Sequence, residues 1–182
     1  FWGMDPRGYH TTNILLHAGN AVLLMFVLVR VLILGGAERS RGLLFAAAAA
    51  SILWAVHPLR VESVAWITER RDVLSASFLL LSMLAYLRAV RPGEAPLASR
   101  RAYVWCLGLL LCSLLAKAWG ITFIAVVLAL DVWPLRRLPW RVWRWGAFAP
   151  VLRQKIPIAG LCAVFAFLAW MAQRTGHDET MR

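Results

Sequence analysis

The chain has 182 residues, of which 61% are hydrophobic and 10 are Trp, and it carries a formal net charge of +11. Apolar content this high excludes an ordinary soluble domain and points to a membrane protein. The basic excess does not indicate a nucleic-acid partner, because the cations sit in short linkers between apolar runs, without any recognisable nucleic-acid module.

Taken in chain order, apolar runs cover 13–34, 42–56, 73–90, 102–116, 120–133 and 156–172. Each predicts a membrane helix, though several fall short of the roughly 20 residues that cross a bilayer upright. Along the first, His10, Asn13, His17 and Asn20 recur at spacings of three, four and three, which draws one polar stripe down an apolar cylinder. Lipid does not face such a stripe. It serves interhelical hydrogen bonds or, at its outer end near His10 and Asn13, lines a polar cavity.

The linkers sort by charge. Threading the chain back and forth from an outside N-terminus puts 30–41 at +2, 88–101 at +3 and 134–155 at +6 on one face, together the whole net charge. On the other face 1–10, 57–72 and 173–182 each sum to zero. Lys and Arg accumulate on the cytoplasmic side, so the basic linkers face inward and the segment from His57 to Asp72 faces outward. A single crossing over the 32 residues from Ala102 to Trp133 would put the +6 linker outside. A hairpin of two short helices with Lys117 near its outward tip avoids this. The expected fold class is therefore all-α, a polytopic transmembrane helical bundle of about six membrane segments. In the last basic linker Arg alternates with Trp133, Trp140, Trp143 and Trp145, as in an interfacial anchor against anionic headgroups. Cys106, Cys112 and Cys162 lie in apolar runs, so no disulfide is expected, and no Cys/His pattern predicts a metal site.

Between the second and third runs, His57 to Asp72 holds six charges and a histidine. Pro58 discourages helix at His57, while Val61, Val64, Ala65 and Thr68 at helical spacing predict a short interfacial helix. Glu62, Trp66, Glu69 and Arg70 would share its opposite face. Lys117 interrupts an apolar stretch, and a charged lysine at mid-membrane costs roughly 2.5–3.5 kcal/mol. It either snorkels to the interface or meets an anionic partner in a wet cavity. Asp131, about 21 Å further along a helix, is too distant to be that partner and suits a capping role near the basic linker. Arg70, Arg71 and Lys117 together can neutralise a phosphate, the guanidinium groups through forked donors and the lysine as a mobile point charge.

The motifs His57-Pro58, Glu62, Val64-Ala65, Arg70 and Asp72 are followed in order by Ala116-Lys117, Gly120-Ile121-Thr122 and Leu130-Asp131-x-Trp133-Pro134. Before them stand Phe1-Trp2-Gly3 and Gly8-Tyr9-His10-x-x-Asn13-x-x-x-His17. In this set, and over nearly its whole length, the chain resembles the membrane domain of the TMTC-type proteins. These are transmembrane and tetratricopeptide-repeat O-mannosyltransferases, with bacterial relatives, in the GT-C glycosyltransferase class.

The resemblance implies a GT-C-like bundle in a bacterial inner membrane. It implies transfer of a sugar, with inversion, from a polyprenyl-phosphate carrier to a hydroxyl of a protein or glycan on the outer face. Membrane lipids and the lipid-linked donor are then the partners. No cofactor beyond that donor is implied, and the residues do not report on a divalent metal. Lys117 and Arg70 would contact the carrier phosphate, with Arg71 in reserve. His57, Glu62, Asp72, His10 and Asn13 would line or orient the cavity. Asp72 equally suits capping of a helix that begins near Val73, and Glu62 suits either acceptor binding or an ion pair that positions Arg70. No catalytic residue is assigned, because the family's acidic motif belongs to an external loop expected before Phe1. Ala118 occupies a position where the family often has a second carboxylate. The tetratricopeptide repeats are expected after the membrane domain, so residues 1–182 read as one transmembrane domain of a larger protein. The alternatives are a non-catalytic membrane scaffold for a soluble repeat domain and a lipid or solute transporter. Crowding of ionisable residues at one end, without an internal repeat, speaks against transport.

Overall fold

The computed structural model describes residues 6–90, 97–138 and 145–180, and every regular element among them is helical. Helix α1 spans Pro6–Leu34, α2 Arg41–Ala55, α3 Val61–Ala65, α4 Arg70–Ala89 and α5 Arg100–Ala116. They are followed by α6, Phe123–Val132, α7, Trp145–Arg153, and α8, Ile156–Thr180. Short 3₁₀ turns at Pro58–Arg60, Ile67–Glu69 and Ala118–Thr122 complete the set. Phe1-Trp2-Gly3 and the aromatic anchors Trp140 and Trp143 lie outside the described residues.

Local chemistry explains the boundaries. Ser40 and Ser99 are extended N-cap residues whose hydroxyls accept from Leu43 and Ala102 backbone N–H groups, satisfying donors that a first helical turn leaves unpaired. After α1 the chain turns through Gly36 at φ +103°, a left-handed conformation that a side chain disfavours.

The polar stripe on α1 works as interhelical hydrogen bonding. Asn20 Nδ2 donates to Val73 O at 2.8 Å, and Ser77 Oγ donates to Asn20 Oδ1 at 2.7 Å. His17 Nε2 lies 3.0 Å from Ala55 O, and its ring stacks on Trp54. Helices α1 and α4 therefore run in the same direction, with α2 returning beside α1. Helices α4 and α5 are joined by serines. Ser75 Oγ donates to Ser113 O at 3.0 Å, Ser113 Oγ donates to Ser75 O at 2.9 Å, and Ser82 Oγ donates to Cys106 O at 2.8 Å. Small polar side chains let two membrane helices approach closely while satisfying one another.

The core lies between α4, α5, α6 and α8, around Tyr86, Leu87, Leu110, Phe123, Val127 and Ile158. Outward faces carry Leu15, Phe45, Leu53, Val104, Leu115 and Phe167, all exposed. Apolar surface of this extent belongs in lipid, and the chain is a membrane protein. The three cysteines are free thiols.

The expectation of about six crossings is met only in part. Among the described residues three helices are long and apolar enough to span, Arg7–Leu34, Arg70–Ala89 and Ile156–Arg174. A fourth arises if α2 and the bent Pro58–Ala65 segment count as one broken span. Helix α5, with 17 residues, reaches about 25 Å at 1.5 Å per residue, and the 10 residues of α6 reach less still.

At the far end of α4 and α6 lies a buried ionic cluster. Asp131 is fully buried and pairs with Lys155 Nζ at 2.6 Å and Arg137 Nη1 at 3.2 Å. Tyr86 Oη donates to its Oδ1 at 2.8 Å, and Arg137 Nη1 also donates to Gln154 Oε1 at 3.0 Å. Backbone N–H groups of Arg137 and Leu138 both donate to Asp131 O. One carboxylate thus connects α4, α6, the turn after the cis Trp133-Pro134 bond, and the junction of α7 with α8. Removing one member of a buried ion pair strands the others, at a cost of about 3–5 kcal/mol. Asp131→Ala is therefore expected to lower equilibrium unfolding stability in micelles by about that amount; a change within 0.5 kcal/mol, the usual range for surface substitutions, would contradict the assignment.

Candidate functional site

The candidate site is built where α5 ends. Ala116 closes the helix, and Lys117 turns to an extended conformation, φ −159° and ψ 140°, with its N–H still bonded to Ser113 O. That turn swings its side chain off the α5 axis toward the start of α4. There Lys117 Nζ is 2.9 Å from Glu69 Oε2 and forms a second ion pair with Asp72 Oδ1. Its ammonium also lies 5.1 Å from the Trp119 ring centroid. The serine ladder between α4 and α5 fixes the register, since Ser75, one turn beyond Asp72, reaches both Ser113 and Lys117 O. Gly120 completes the tip. A Cβ there would come within 3.1 Å of Leu114 Cδ2, so a larger residue would require the Leu114 side chain to give by a few tenths of an ångström.

Acidic residues at the start of a helix also suit its positive end. Glu69 is the N-cap residue of α4 and Asp72 lies in its first turn, so the two carboxylates share one face. Asp72 does not cap a helix beginning near Val73; the helix begins earlier, at Arg70, and Asp72 is committed to Lys117. Burial alone would lower the Lys117 pKa, but hydrogen bonds to Asp72 and Glu69 outweigh it and raise the value. Bonds from Lys117 and then Asp72 hold the Glu69 carboxyl below its ordinary range.

Arg70 points the other way. Its Nε donates to Asn13 Oδ1 at 3.2 Å, Nη2 donates to Tyr9 O at 3.4 Å, and the guanidinium lies over the Tyr9 ring at 5.2 Å. Asn13 Nδ2 in turn donates to Trp66 O at 3.2 Å and Val64 O at 3.4 Å, meeting carbonyls left where α3 stops. That stop overturns the expectation of one helical face shared by Glu62, Trp66, Glu69 and Arg70. Trp66 is extended, at ψ 126°, which leaves Glu62 and Trp66 exposed while Glu69 and Arg70 turn inward. Arg70 is therefore positioned by Asn13 and Tyr9, not by Glu62. Arg71 is 61% exposed and reaches Glu69 only at 3.9 Å.

Asp72 lines the smaller of two spaces that share His17 and Arg60. A cavity of about 80 Å³ lies beneath the loop, walled by His17, Asn20, Trp54, Arg60, Asp72 and Trp119. A groove of about 400 Å³ runs between α1 and the loop, with His10, His57 and Arg60 among apolar walls that include Ile14, Val61 and Val64. His57 is exposed and caps the Pro58–Arg60 turn, its Nδ1 accepting from Leu59 N. The structure thus brings Lys117, Asp72 and Arg71 together, places Arg70 with Asn13 on the α1 side, sets His10 and His57 along the groove, and leaves Glu62 outside. Two residues not assigned to the site from the sequence, Glu69 and Arg60, belong beside it. Glu69 was legible from its spacing of three before Asp72. Arg60 lines both spaces and lies over Trp54 at 5.0 Å; only its place in the charged loop hinted at this. No group of three His, Cys, Asp or Glu among the described residues is placed to hold a metal ion.

Known proteins resemble the chain over about 70% of its length. Human protein O-mannosyl-transferase TMTC4 is 36% identical over 138 residues, 71% of this chain. Human protein O-mannosyl-transferase TMTC2 is 35% identical over 139 residues, 75% of the chain, and fruit-fly Tmtc3 is 29% identical over 149 residues, 74% of it. The chain is TMTC-like. The matched stretch makes up 18%, 15% and 16% of those three relatives, so the TMTC-like chain spans less than a fifth of their length. No protein-family model matches it, and no solved structure matches it.

The ionic triad of this TMTC-like chain carries a pH signature. A carboxyl whose folded pKa is depressed contributes stability above its ordinary pKa and loses it as pH falls through the lowered folded value. Thermal stability in detergent is expected to drop on acidification below the ordinary glutamate range. The Glu69→Gln variant should start lower near neutrality and show a shallower acid loss; parallel pH profiles for the two proteins would contradict the coupling.

Proposed function

We propose that this chain is the donor-holding part of a GT-C-type protein O-mannosyltransferase. In this reading mannose passes from a polyprenyl-phosphate carrier to a protein hydroxyl at the Lys117 end of the bundle, which faces outward from the membrane. The observation that carries it is Lys117, oriented by two carboxylates next to Arg71; one of them, Asp72, walls a small cavity that shares His17 and Arg60 with the apolar-walled groove. The printed names of the similar proteins, all O-mannosyl-transferases, supply the reaction class.

The chemistry divides into two requirements. Displacing a lipid phosphate from an anomeric carbon needs cations where negative charge develops and a carboxylate to take the acceptor's proton. This chain supplies the first. Lys117 and Arg71 balance Glu69 and Asp72, and Arg70, held by Asn13 and Tyr9 on the α1 side, adds one positive charge. Lys117 arrives oriented by its carboxylates, and Arg71, exposed and loosely held, is free to fold over an incoming phosphate. Arg70 closes the α1 side. The groove offers His10, His57 and apolar walls to the proximal isoprene units and sugar. No residue of this chain is assigned as proton acceptor.

The six-segment topology belongs to the same proposal. With α2 and its bent continuation, α5 and α6 counted as crossings, the gathering of the basic linkers on one face supports the reading that the Lys117 end faces outward.

The test is transfer from polyprenyl-phosphate mannose by the full-length protein. Lys117→Ala is expected to lower kcat/KM by about 100-fold or more, the usual effect of removing one preorganised group that stabilises developing charge. Lys117→Arg should recover part of the loss. Normal turnover by Lys117→Ala would overturn the phosphate assignment.

A further inference from the structure

A second cationic pocket lies at the opposite end of the bundle from Lys117. Arg30 follows Asn13 by 17 residues, about 26 Å along α1. There Arg30, Arg39 and Arg88 converge on a pocket of about 460 Å³ floored by Phe26, Ile33 and Leu84. The three guanidinium groups come from separate segments: the penultimate turn of α1, the connection to α2 and the last turn of α4.

We propose that this pocket binds the phosphate headgroup of an anionic phospholipid. Charge is the first reason. The Lys117 cluster sets carboxylates against its cations, whereas no carboxylate is among the described residues lining this pocket. The carboxyl ends of α1 and α4 bring roughly half a negative charge each, which leaves a net charge near +2 to be met from outside.

The second reason is an unmet donor. Arg30 Nε is buried without a hydrogen-bond partner, and a donor on a charged group that finds no acceptor costs stability in a low-dielectric setting. A phosphate presents paired oxygens that match the guanidinium fork. Its diester form also carries what a free phosphate lacks, two acyl chains. The pocket floor is apolar, and it continues along the exposed flank of the bundle through Val22, Phe26 and Leu81. Headgroup and chain are thus served by adjoining surfaces, which favours a lipid over a soluble anion.

The site is independent of the sugar-transfer reading and is tested by binding. The full-length protein, purified in a non-ionic detergent, is titrated with palmitoyl-oleoyl phosphatidylglycerol or phosphatidylcholine and bound lipid is counted by native mass spectrometry. Phosphatidylglycerol is expected to bind at least about tenfold more tightly, and each guanidinium removed should cost about fivefold, the usual effect of one basic residue near an anionic lipid surface. The Arg39→Gln/Arg88→Gln pair, both exposed positions, should therefore lose about 30-fold in phosphatidylglycerol affinity. Arg30→Gln should lose more than either single change. Arg100→Gln/Arg101→Gln, outside the pocket, should bind as the parent does. Equal binding of the two lipids, or an unaltered affinity in the Arg39/Arg88 pair, would overturn the proposal. So would displacement of phosphatidylglycerol by millimolar inorganic phosphate, which would make the site one for a soluble anion.

Discussion

The Lys117 ammonium, held between Glu69 and Asp72, ties the tip of the α5–α6 hairpin to the first turn of α4. A lysine in an apolar stretch is expensive to insert, and pairing with the two carboxylates offsets part of that cost. The carboxylates gain as well, since they stand at the positive end of a long helix. Several other features follow from this contact. The serine ladder sets its register, Gly120 lets the tip lie against Leu114, and the break at Trp66 turns Glu69 and Arg70 into the bundle while Glu62 faces out.

The two ends of the molecule use charge differently. At the Lys117 end, cations and carboxylates nearly balance and border a small cavity through Asp72, so an anionic ligand there would have to rearrange or share existing pairs. At the other end, Asp131 is enclosed by Lys155, Arg137 and Tyr86. That cluster fixes α6 and the α7–α8 junction. On the flank of α1 and α4, the three guanidinium groups of Arg30, Arg39 and Arg88 face a pocket with no carboxylate among the described residues lining it. The proposed donor site, the buried ionic core and the proposed lipid pocket thus differ in how their charge is balanced.

Much of this was legible in the sequence. Hydropathy located α2, α4, α5 and α6 to within three residues, because lipid-facing surface tolerates few polar groups, but it missed the polar ends of α1 and α8 and the whole of α7; the recurrence of His10, Asn13, His17 and Asn20 announced a protein-facing stripe on α1. The cost of Lys117 pointed either to snorkelling or to an anionic partner. The sequence did not reveal which carboxylate that partner was. A continuous interfacial helix from Val61 onward puts Glu69 beside Glu62, and the extended residue at Trp66 that separates them has no proline or glycine to mark it. Arg60 escaped notice for a similar reason, since its role depends on how the loop lies over Trp54. The number of crossings was also obscure, because α5 and α6 are short and their ability to span depends on tilt and on packing against α4 and α8.

The account rests on Lys117 and Asp72 acting as one unit, and a double-mutant cycle measures that directly. Equilibrium unfolding in mixed micelles would be followed for the parent, Lys117→Met, Asp72→Asn and the double variant. A coupling energy of about 1–3 kcal/mol is predicted, as for contacting charges in one network, whereas additivity within about 0.5 kcal/mol would show that the hairpin tip is held by other contacts and would contradict the account.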